Sequence, residues 1–138
     1  MINILIISHC NLTKELIATA EVIAGKQENL FCIDKDIKNE NLQSLQLKID
    51  EILGRINKPE GTLVLTDMLG GTPCNAALLL TKKYNLEILT GVNLPMLLSA
   101  VFTSKIAVTA KELADKVISD GQKSIVNAKQ LMAEKLKN

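Results

Sequence analysis

The sequence predicts an α/β protein in which a doubly wound, mainly parallel sheet of strand order 2-1-3-4 carries helices on both faces. Short, nearly continuous runs of Ile, Leu and Val alternate with longer stretches in which apolar residues recur every three or four positions. Such short runs are typical of parallel strands covered on both faces. Hydrophobic residues make up 47% of the 138 residues and aromatic residues only 2%, which indicates an aliphatic core. This length suits a single domain, expected over residues 1–138.

The first half of the chain contains two strand patterns and two helix patterns. Residues 3–8 and 30–33 are the predicted strands. The helix between them ends before Gly25, and its apolar face consists of Leu12, Leu16, Ala20, Ile23 and Ala24. The second helix ends before Pro59, and its apolar stripe consists of Leu42, Leu45, Ile49, Ile52, Leu53 and Ile56. Each helix can therefore cover part of the sheet.

The second half continues the alternation, with strands predicted over residues 62–66 and 86–89. Between them a helix is expected to begin at Thr72, whose hydroxyl can cap free backbone N–H groups. Pro73 then occupies the first helical position, where no N–H is missed, and the helix runs to Leu80.

The pattern after the fourth strand predicts a turn and two more helices. The turn covers residues 91–95, and a short apolar helix follows over about residues 96–102. Thr109 and Glu112 form a capping-box pattern that predicts the start of the last helix. One side of this helix consists of Leu113, Val117 and Ile125.

Composition and charge exclude several classes of function. The formal net charge of +1 gives no overall attraction to nucleic acid or to an anionic membrane. No apolar stretch approaches the length of a transmembrane helix, and the first residues lack the basic start of a signal peptide. We therefore expect a cytoplasmic protein that has no nucleic-acid partner and reaches a membrane only through other proteins.

The predicted strand order places two candidate catalytic side chains in one crevice. Right-handed crossovers favour a central first strand beside the third, so the chain winds outward in opposite directions from these two strands. His9, the only histidine, follows the first strand, and Asp67 follows the third. Because the carboxyl ends of parallel strands lie at the same edge, we expect both side chains to border one crevice.

The residues after Asp67 indicate a phosphate site in the same crevice. Gly70 and Gly71 lack a Cβ that would obstruct phosphate oxygens, and Thr72 can add its hydroxyl. The following helix presents unpaired N–H groups and a partial positive charge to an anion. The three residues are therefore the predicted phosphate-binding residues.

Histidine next to a carboxylate suits reversible phosphoryl transfer. Neutral imidazole is a nucleophile near neutral pH, and Asp67 can hold one ring nitrogen so that the other is free to react. A helix end can stabilise the transferred group without a metal ion or cofactor, so none is expected.

Each of these features also has a purely structural interpretation. A lone histidine can sit at a strand end without reacting, aspartate is common in turns, and Gly-Gly-Thr-Pro is a good turn and helix start. Function is favoured because the inferred strand order places all three in one crevice. Cys10, Cys32 and Cys74 follow no zinc or redox spacing and are interpreted as reduced thiols.

Three segments carry a family resemblance: Ser8-His9, residues 67–77 (DMLGGTPCNAA) and residues 91–97 (GVNLPML). Together they resemble the IIA component of mannose-type bacterial sugar phosphotransferase systems, the mannose/fructose/sorbose family. The resemblance implies a cytosolic phosphotransferase in which His9 takes a phosphoryl group from the carrier HPr and passes it to a IIB component. It also implies that Asp67 orients the ring, that Thr72 and nearby backbone hold the phosphate, and that residues 91–95 border the site.

Further expectations follow from this resemblance. Family members form homodimers in which a carboxy-terminal strand pairs with the partner's sheet, here around residues 126–130, although residues 124–136 suit a helix equally well. The IIB partner is expected on a separate polypeptide because the chain stops at Asn138, and the membrane IIC and IID components are reached only indirectly. Cys10 stands where glycine is usual in the family.

Three alternative functions remain open. A related phosphohistidine relay feeds dihydroxyacetone phosphorylation, and a noncatalytic regulatory subunit would keep the same fold. In a receiver module Asp67 itself would take the phosphoryl group, but such modules need acidic residues after the first strand to bind magnesium. Ser8-His9-Cys10 offers none.

Overall fold

The computed structural model describes residues 1–33 and 40–137, and a four-stranded parallel sheet lies at the centre. Its strands are β1 (Asn3–Ile7), β2 (Leu30–Cys32), β3 (Thr62–Thr66) and β4 (Leu86–Leu89), in the order β2-β1-β3-β4. The predicted order 2-1-3-4 is therefore confirmed. In the central pair Ile4 lies opposite Leu63 and Ile7 opposite Thr66, so β1 and β3 end side by side.

Helices cover both faces of the sheet, as predicted. The helices are α1 (Leu12–Ala24), α2 (Leu42–Ile56), α3 (Thr72–Leu79), α4 (Leu94–Thr103), α5 (Ala110–Lys123) and α6 (Ala128–Leu136). Side chains alternate along β1, so Ile4 and Ile6 join a buried cluster with α1, α4 and α5. Leu5 and Ile7 join a second cluster with α2 and α3 on the opposite face. Both faces of the central strands are therefore in the core.

Helix α1 contacts the core through three of the five residues of its predicted stripe, Leu16, Ala20 and Ala24. Leu12 and Ile23 are exposed, whereas Ile17 packs against the core beside Leu16. The contact face is centred on Ala20, whose small side chain allows close approach, and this centring leaves Ile23 on the flank. The predicted stripe is therefore wrong at Leu12 and Ile23, and the helix ends before Gly25 as expected.

The carboxy-terminal region differs more from the sequence-based expectation. Helix α5 begins with the Thr109 cap, whose hydroxyl accepts a hydrogen bond from the Glu112 N–H at 3.2 Å, but it ends at Lys123. Ile125 lies beyond that end and is 80% exposed, so it does not belong to the buried side of the helix. Residues 128–136 are helical and contribute no buried residue, so the exchanged strand around residues 126–130 is not confirmed. Asn138 lies outside the described residues.

No helix within the described ranges combines the length and the apolar character needed to cross a membrane.

Candidate active site

His9 and Asp67 lie at the same edge of the sheet, because they follow two neighbouring strands. Ile7 and Thr66 are paired in the register of β1 and β3, and each is followed within two residues by one of these side chains. One carboxylate oxygen, Asp67 Oδ2, lies 2.9 Å from the backbone nitrogen of His9 and 2.6 Å from its ring Nδ1. The structure therefore brings together the two residues that the strand order predicts as neighbours.

The carboxylate of Asp67 is held by three hydrogen bonds. Besides the two from His9, the backbone N–H of Met68 donates to Oδ1 at 3.0 Å. Partial burial disfavours the charged carboxylate, but the hydrogen bonds from His9 and the attraction of its ring outweigh this effect and lower the pKa of Asp67. The group is therefore ionised at neutral pH.

The ionised carboxylate fixes the tautomer of the imidazole. A carboxylate only accepts hydrogen bonds, so Nδ1 of His9 must carry the proton, and Nε2 of the neutral ring keeps its lone pair. The described residues offer Nε2 no hydrogen-bond partner. The side chain of His9 is 39% exposed, whereas that of Asp67 is only 13% exposed. The ring is thus held through Nδ1, and part of its surface is open to solvent.

Gly71 lies against the edge of the imidazole ring. A Cβ added to this glycine would lie 2.9 Å from Cε1 of His9 and 3.3 Å from Cγ of Met68. Cε1 separates the two ring nitrogens, so the backbone of Gly71 approaches the atom next to Nε2. Gly70 has φ +83°, a backbone conformation that favours glycine. The two glycines thus have distinct roles, one in the turn and one in close approach.

Replacing Gly71 with alanine is expected to slow phosphoryl uptake about tenfold or more, because the added methyl group must displace either the held ring or Met68. Gly25→Ala is the control for added side-chain bulk, since Gly25 is the C-cap of α1 at φ +83° and has open space where the Cβ would lie, whereas Gly71 has φ −74° and a crowded Cβ position. That control is expected to lose stability and keep its transfer rate. Equal transfer rates for the two variants would show that Gly71 does not position the ring.

The start of α3 differs from the prediction in one respect. Gly71 is the N-cap, Thr72 is the first helical residue, and the Thr72 hydroxyl makes no capping hydrogen bond. Thr72 cannot cap here because its backbone already has helical geometry, whereas a cap residue must be extended. The first backbone bond of the helix runs from the Asn75 N–H to the Gly71 carbonyl at 3.0 Å, so the N–H groups of Thr72 and Cys74 precede the helical ladder.

The segment over residues 91–95 lies beside the end of β3. The N–H of Val92 donates to the carbonyl of Thr66, the residue before Asp67, at 3.1 Å. Asn93 then caps α4 by accepting a hydrogen bond from the Met96 N–H at 2.9 Å. This placement agrees with the segment's expected position at the border of the site.

Two buried hydroxyl groups that the sequence reasoning missed lie behind His9. Oγ of Ser8 and Oγ1 of Thr13 are 2.5 Å apart, and both residues are almost fully buried. The available signal was a serine at the end of the strand, just before the apolar helical pattern, which is a common helix-start position.

Metal-ligand residues do not cluster in the described ranges: no three side chains of His, Cys, Asp or Glu are arranged to hold an ion. Cys10 is exposed, Cys32 is partly buried and Cys74 is buried, and no disulfide joins any two of them.

A doubly wound parallel sheet with a carboxylate-held histidine between its two central strands defines an α/β protein with a histidine–aspartate pair at its switch point. Comparison with known proteins then identifies the family. The sequence model of the family described as "PTS system fructose IIA component" matches residues 3–118. The chain therefore belongs to the mannose-type IIA components of the sugar phosphotransferase system (PTS).

Individual relatives agree with this assignment. The chain is 32% identical over 135 residues to the mannose-specific EIIAB component of Escherichia coli (strain K12), covering 97% of this chain but only 42% of the relative's length. It is 31% identical over 125 residues to the fructose-specific EIIA component of Bacillus subtilis (strain 168), covering 90% and 84% of the two chains. The crystal structure of phosphotransferase system component EIIA from Streptococcus agalactiae superposes with a TM-score of 0.85 at 31% identity, covering 94% and 99% of the two chains.

Proposed function

We propose that the protein is a phosphohistidine relay that accepts a phosphoryl group from phospho-HPr on His9 and passes it to a IIB component for sugar uptake and phosphorylation. The observation that carries this proposal is the 2.6 Å contact between Nδ1 of His9 and Asp67, because it leaves Nε2 as the free nucleophile. Relatives named for mannose, fructose and sorbose support the sugar branch over dihydroxyacetone phosphorylation.

The transfer step uses the two ring nitrogens in different ways. The lone pair of Nε2 attacks phosphorus, a new N–P bond forms, and the bond from phosphorus to the donor's leaving atom breaks. The ring gains positive charge as this happens, and the carboxylate of Asp67 stabilises that charge through the Nδ1–H hydrogen bond. Transfer to the IIB component is the same reaction in the opposite direction at His9.

The start of α3 is the proposed cradle for the phosphoryl oxygens. Gly71 lies next to the ring, and Gly70 forms the turn before it. The unpaired N–H groups at the start of the helix can donate hydrogen bonds to phosphoryl oxygens. The hydroxyl of Thr72 has no capping role and is thus available to the phosphoryl group. Charge spread over three oxygens is stabilised here by the protein's own dipoles, so the proposal involves no metal ion or cofactor.

Replacing Thr72 with alanine is expected to slow transfer several-fold and to change the free energy of unfolding by less than about 0.5 kcal/mol, because no cap is lost. Thr109→Ala is the matched control: its hydroxyl does cap a helix, so this variant should lose about 1 kcal/mol and transfer at the normal rate. Urea unfolding and single-turnover transfer from phospho-HPr measure both quantities. An unchanged transfer rate in the Thr72 variant would show that the Thr72 hydroxyl does not contribute to phosphoryl transfer.

The surface around His9 supports a protein as the phosphoryl donor. Leu12 is 43% exposed, Met68 55% and Leu69 75%, and each lies within three residues of His9 or Asp67. Apolar side chains that border a reactive group favour contact with another protein surface over a small polar substrate. We assign this surface to HPr and to a IIB component, which must bind in turn because both react at one nitrogen.

The remaining partner proposals follow from family membership. We propose a cytoplasmic protein that forms a homodimer and contacts the membrane IIC and IID components only through IIB. Helix α6 supports a further contact, since it has no buried residue yet carries Leu131, Met132 and Leu136. A monomeric mass, measured by light scattering at micromolar concentration, would contradict the proposed homodimer.

Incubation of the protein with phospho-HPr and a IIB component tests the relay. The phosphoryl group is expected first on this protein and then on IIB. Failure of the wild-type protein to take up label would reject the relay and leave a noncatalytic regulatory subunit.

A further inference from the structure

The turn that carries His9 is closed by a pair of hydroxyl groups. Ser8 directly follows β1 and is 1% exposed, and Thr13 lies in the first turn of α1 and is 3% exposed. Their hydroxyl oxygens are 2.5 Å apart, and the backbone N–H of Thr13 donates to Oγ of Ser8 at 2.9 Å. The Ser8 hydroxyl also lies 3.2 Å from the carbonyl oxygen of His9. Residues 9–12 are thus enclosed between two linked side chains.

The protons of this pair can be assigned from its neighbours. The carbonyl of His9 only accepts, so the Ser8 hydroxyl must donate to it. Oγ of Ser8 then accepts from the N–H of Thr13, and the Thr13 hydroxyl donates to the same oxygen. All three bonds are satisfied at once, and one of them holds the backbone of His9 directly.

The enclosed turn contains a backbone conformation that side chains disfavour. Cys10 has φ +55°, and among the described residues it is the only non-glycine residue with positive φ. In the left-handed region the Cβ atom lies too close to the carbonyl oxygen that follows it. A residue other than glycine therefore keeps this conformation only when its surroundings hold it. Asn11, the N-cap of α1, makes no side-chain capping bond and cannot supply this hold.

We propose that Ser8 and Thr13 are positioning residues that hold the His9–Cys10 turn in the conformation required for phosphoryl transfer. This inference rests on the proposed function of His9. Both the backbone N–H and the ring Nδ1 of His9 meet the same oxygen of Asp67. A rotation of the turn would move the backbone donor and the ring together, and the ring would lose its fixed tautomer and direction.

The test compares the effect of removing one hydroxyl group at two places. Thr13→Val keeps the shape and the backbone bond to Ser8 but removes the Oγ1 bond, whereas Thr13→Ser keeps the hydroxyl. Thr62→Val is the matched control, because Thr62 is fully buried and its hydroxyl donates to Asn57 at 2.7 Å, at the opposite edge of the sheet. Thr13→Val is expected to slow phosphoryl uptake about tenfold, while the other two variants stay within about twofold of the wild type. A Thr13→Val rate equal to that of Thr62→Val would overturn the proposal.

A double-mutant cycle with Cys10→Gly tests the link to the strained turn. Glycine adopts positive φ without hindrance, so in this background the loss caused by Thr13→Val is expected to shrink to about threefold or less. The same tenfold loss in both backgrounds would contradict the proposed hold on Cys10.

The Nδ1 proton of His9 provides a readout that does not depend on phosphoryl transfer. In ¹⁵N-labelled protein without phosphate it is expected to give one downfield resonance in the wild type and in Thr62→Val, and a shifted or broadened one in Thr13→Val. An unchanged resonance in Thr13→Val would overturn the positioning role. If the wild type takes up no phosphoryl group, the relay fails while this comparison still decides whether the pair positions the ring.

Discussion

Replacing His9 with alanine is expected to abolish phosphoryl uptake from phospho-HPr and to leave the protein folded. His9 is the only histidine in the chain, and the contact of its Nδ1 with Asp67 leaves Nε2 as the nucleophile. The side chain is 39% exposed, so little packing is lost with it. Asp67 keeps its hydrogen bonds from the backbone N–H groups of residue 9 and Met68, which limits the effect on stability. Uptake of labelled phosphate together with a thermal unfolding curve measures both expectations.

Cys10→Ser is the control for this experiment, because the thiol of Cys10 is next to His9 and exposed, whereas the hydroxyl of Ser8 on the other side is buried. It should label like the wild type. Undiminished labelling of the His9→Ala variant would identify another acceptor and end the proposed mechanism.

Replacing Asp67 with asparagine is expected to lower the transfer rate by about a hundredfold or more while the fold is kept. Asparagine has one accepting oxygen, whereas Asp67 accepts at both oxygens from the donors of His9 and Met68. If the amide nitrogen faces the ring, it donates to Nδ1 and forces the proton onto Nε2, which then has no lone pair. A single-turnover experiment with saturating donor separates this loss of chemistry from a loss of binding. An unchanged rate would exclude the orienting role.

The same variant gives a pH-dependent signature in stability. The pKa of Asp67 is lowered in the folded protein, so its ionised form stabilises the fold above the unfolded-state pKa of about 3.9. This contribution is lost as the pH falls through the lower folded-state value. The difference in free energy of unfolding between wild type and Asp67→Asn should therefore shrink as the pH falls below about pH 4. A difference that does not change with pH would contradict an ionised Asp67 held by His9.

The sheet could be predicted because its strands are encoded locally. The apolar runs of β1 and β3 are buried on both faces, and short right-handed connections leave few orders for such strands. Once the order is known, the positions of His9 and Asp67 follow, because each lies just beyond the end of a central strand. The close approach of the two residues was thus readable from the sequence.

Features that depend on three-dimensional detail could not be predicted in the same way. Whether Thr72 or Gly71 caps α3 depends on one backbone angle, and a hydroxyl next to Gly-Gly looks like a cap in either case. The bridge between Ser8 and Thr13 requires an exact turn geometry over five positions, which no periodic pattern encodes. Ile23 has helical spacing but lies outside the contact face of α1, since that face is set by how the helix packs, and Ile125 lies beyond the end of α5.

The position of the phosphoryl group on the ring tests the central claim most directly. The protein is phosphorylated with phospho-HPr, and ¹⁵N and ³¹P NMR of the labelled histidine distinguish the two nitrogens. Because Asp67 holds Nδ1, the phosphoryl group should be found on Nε2 of His9. A phosphoryl group on Nδ1, on Asp67 or on Cys10 would contradict the mechanism.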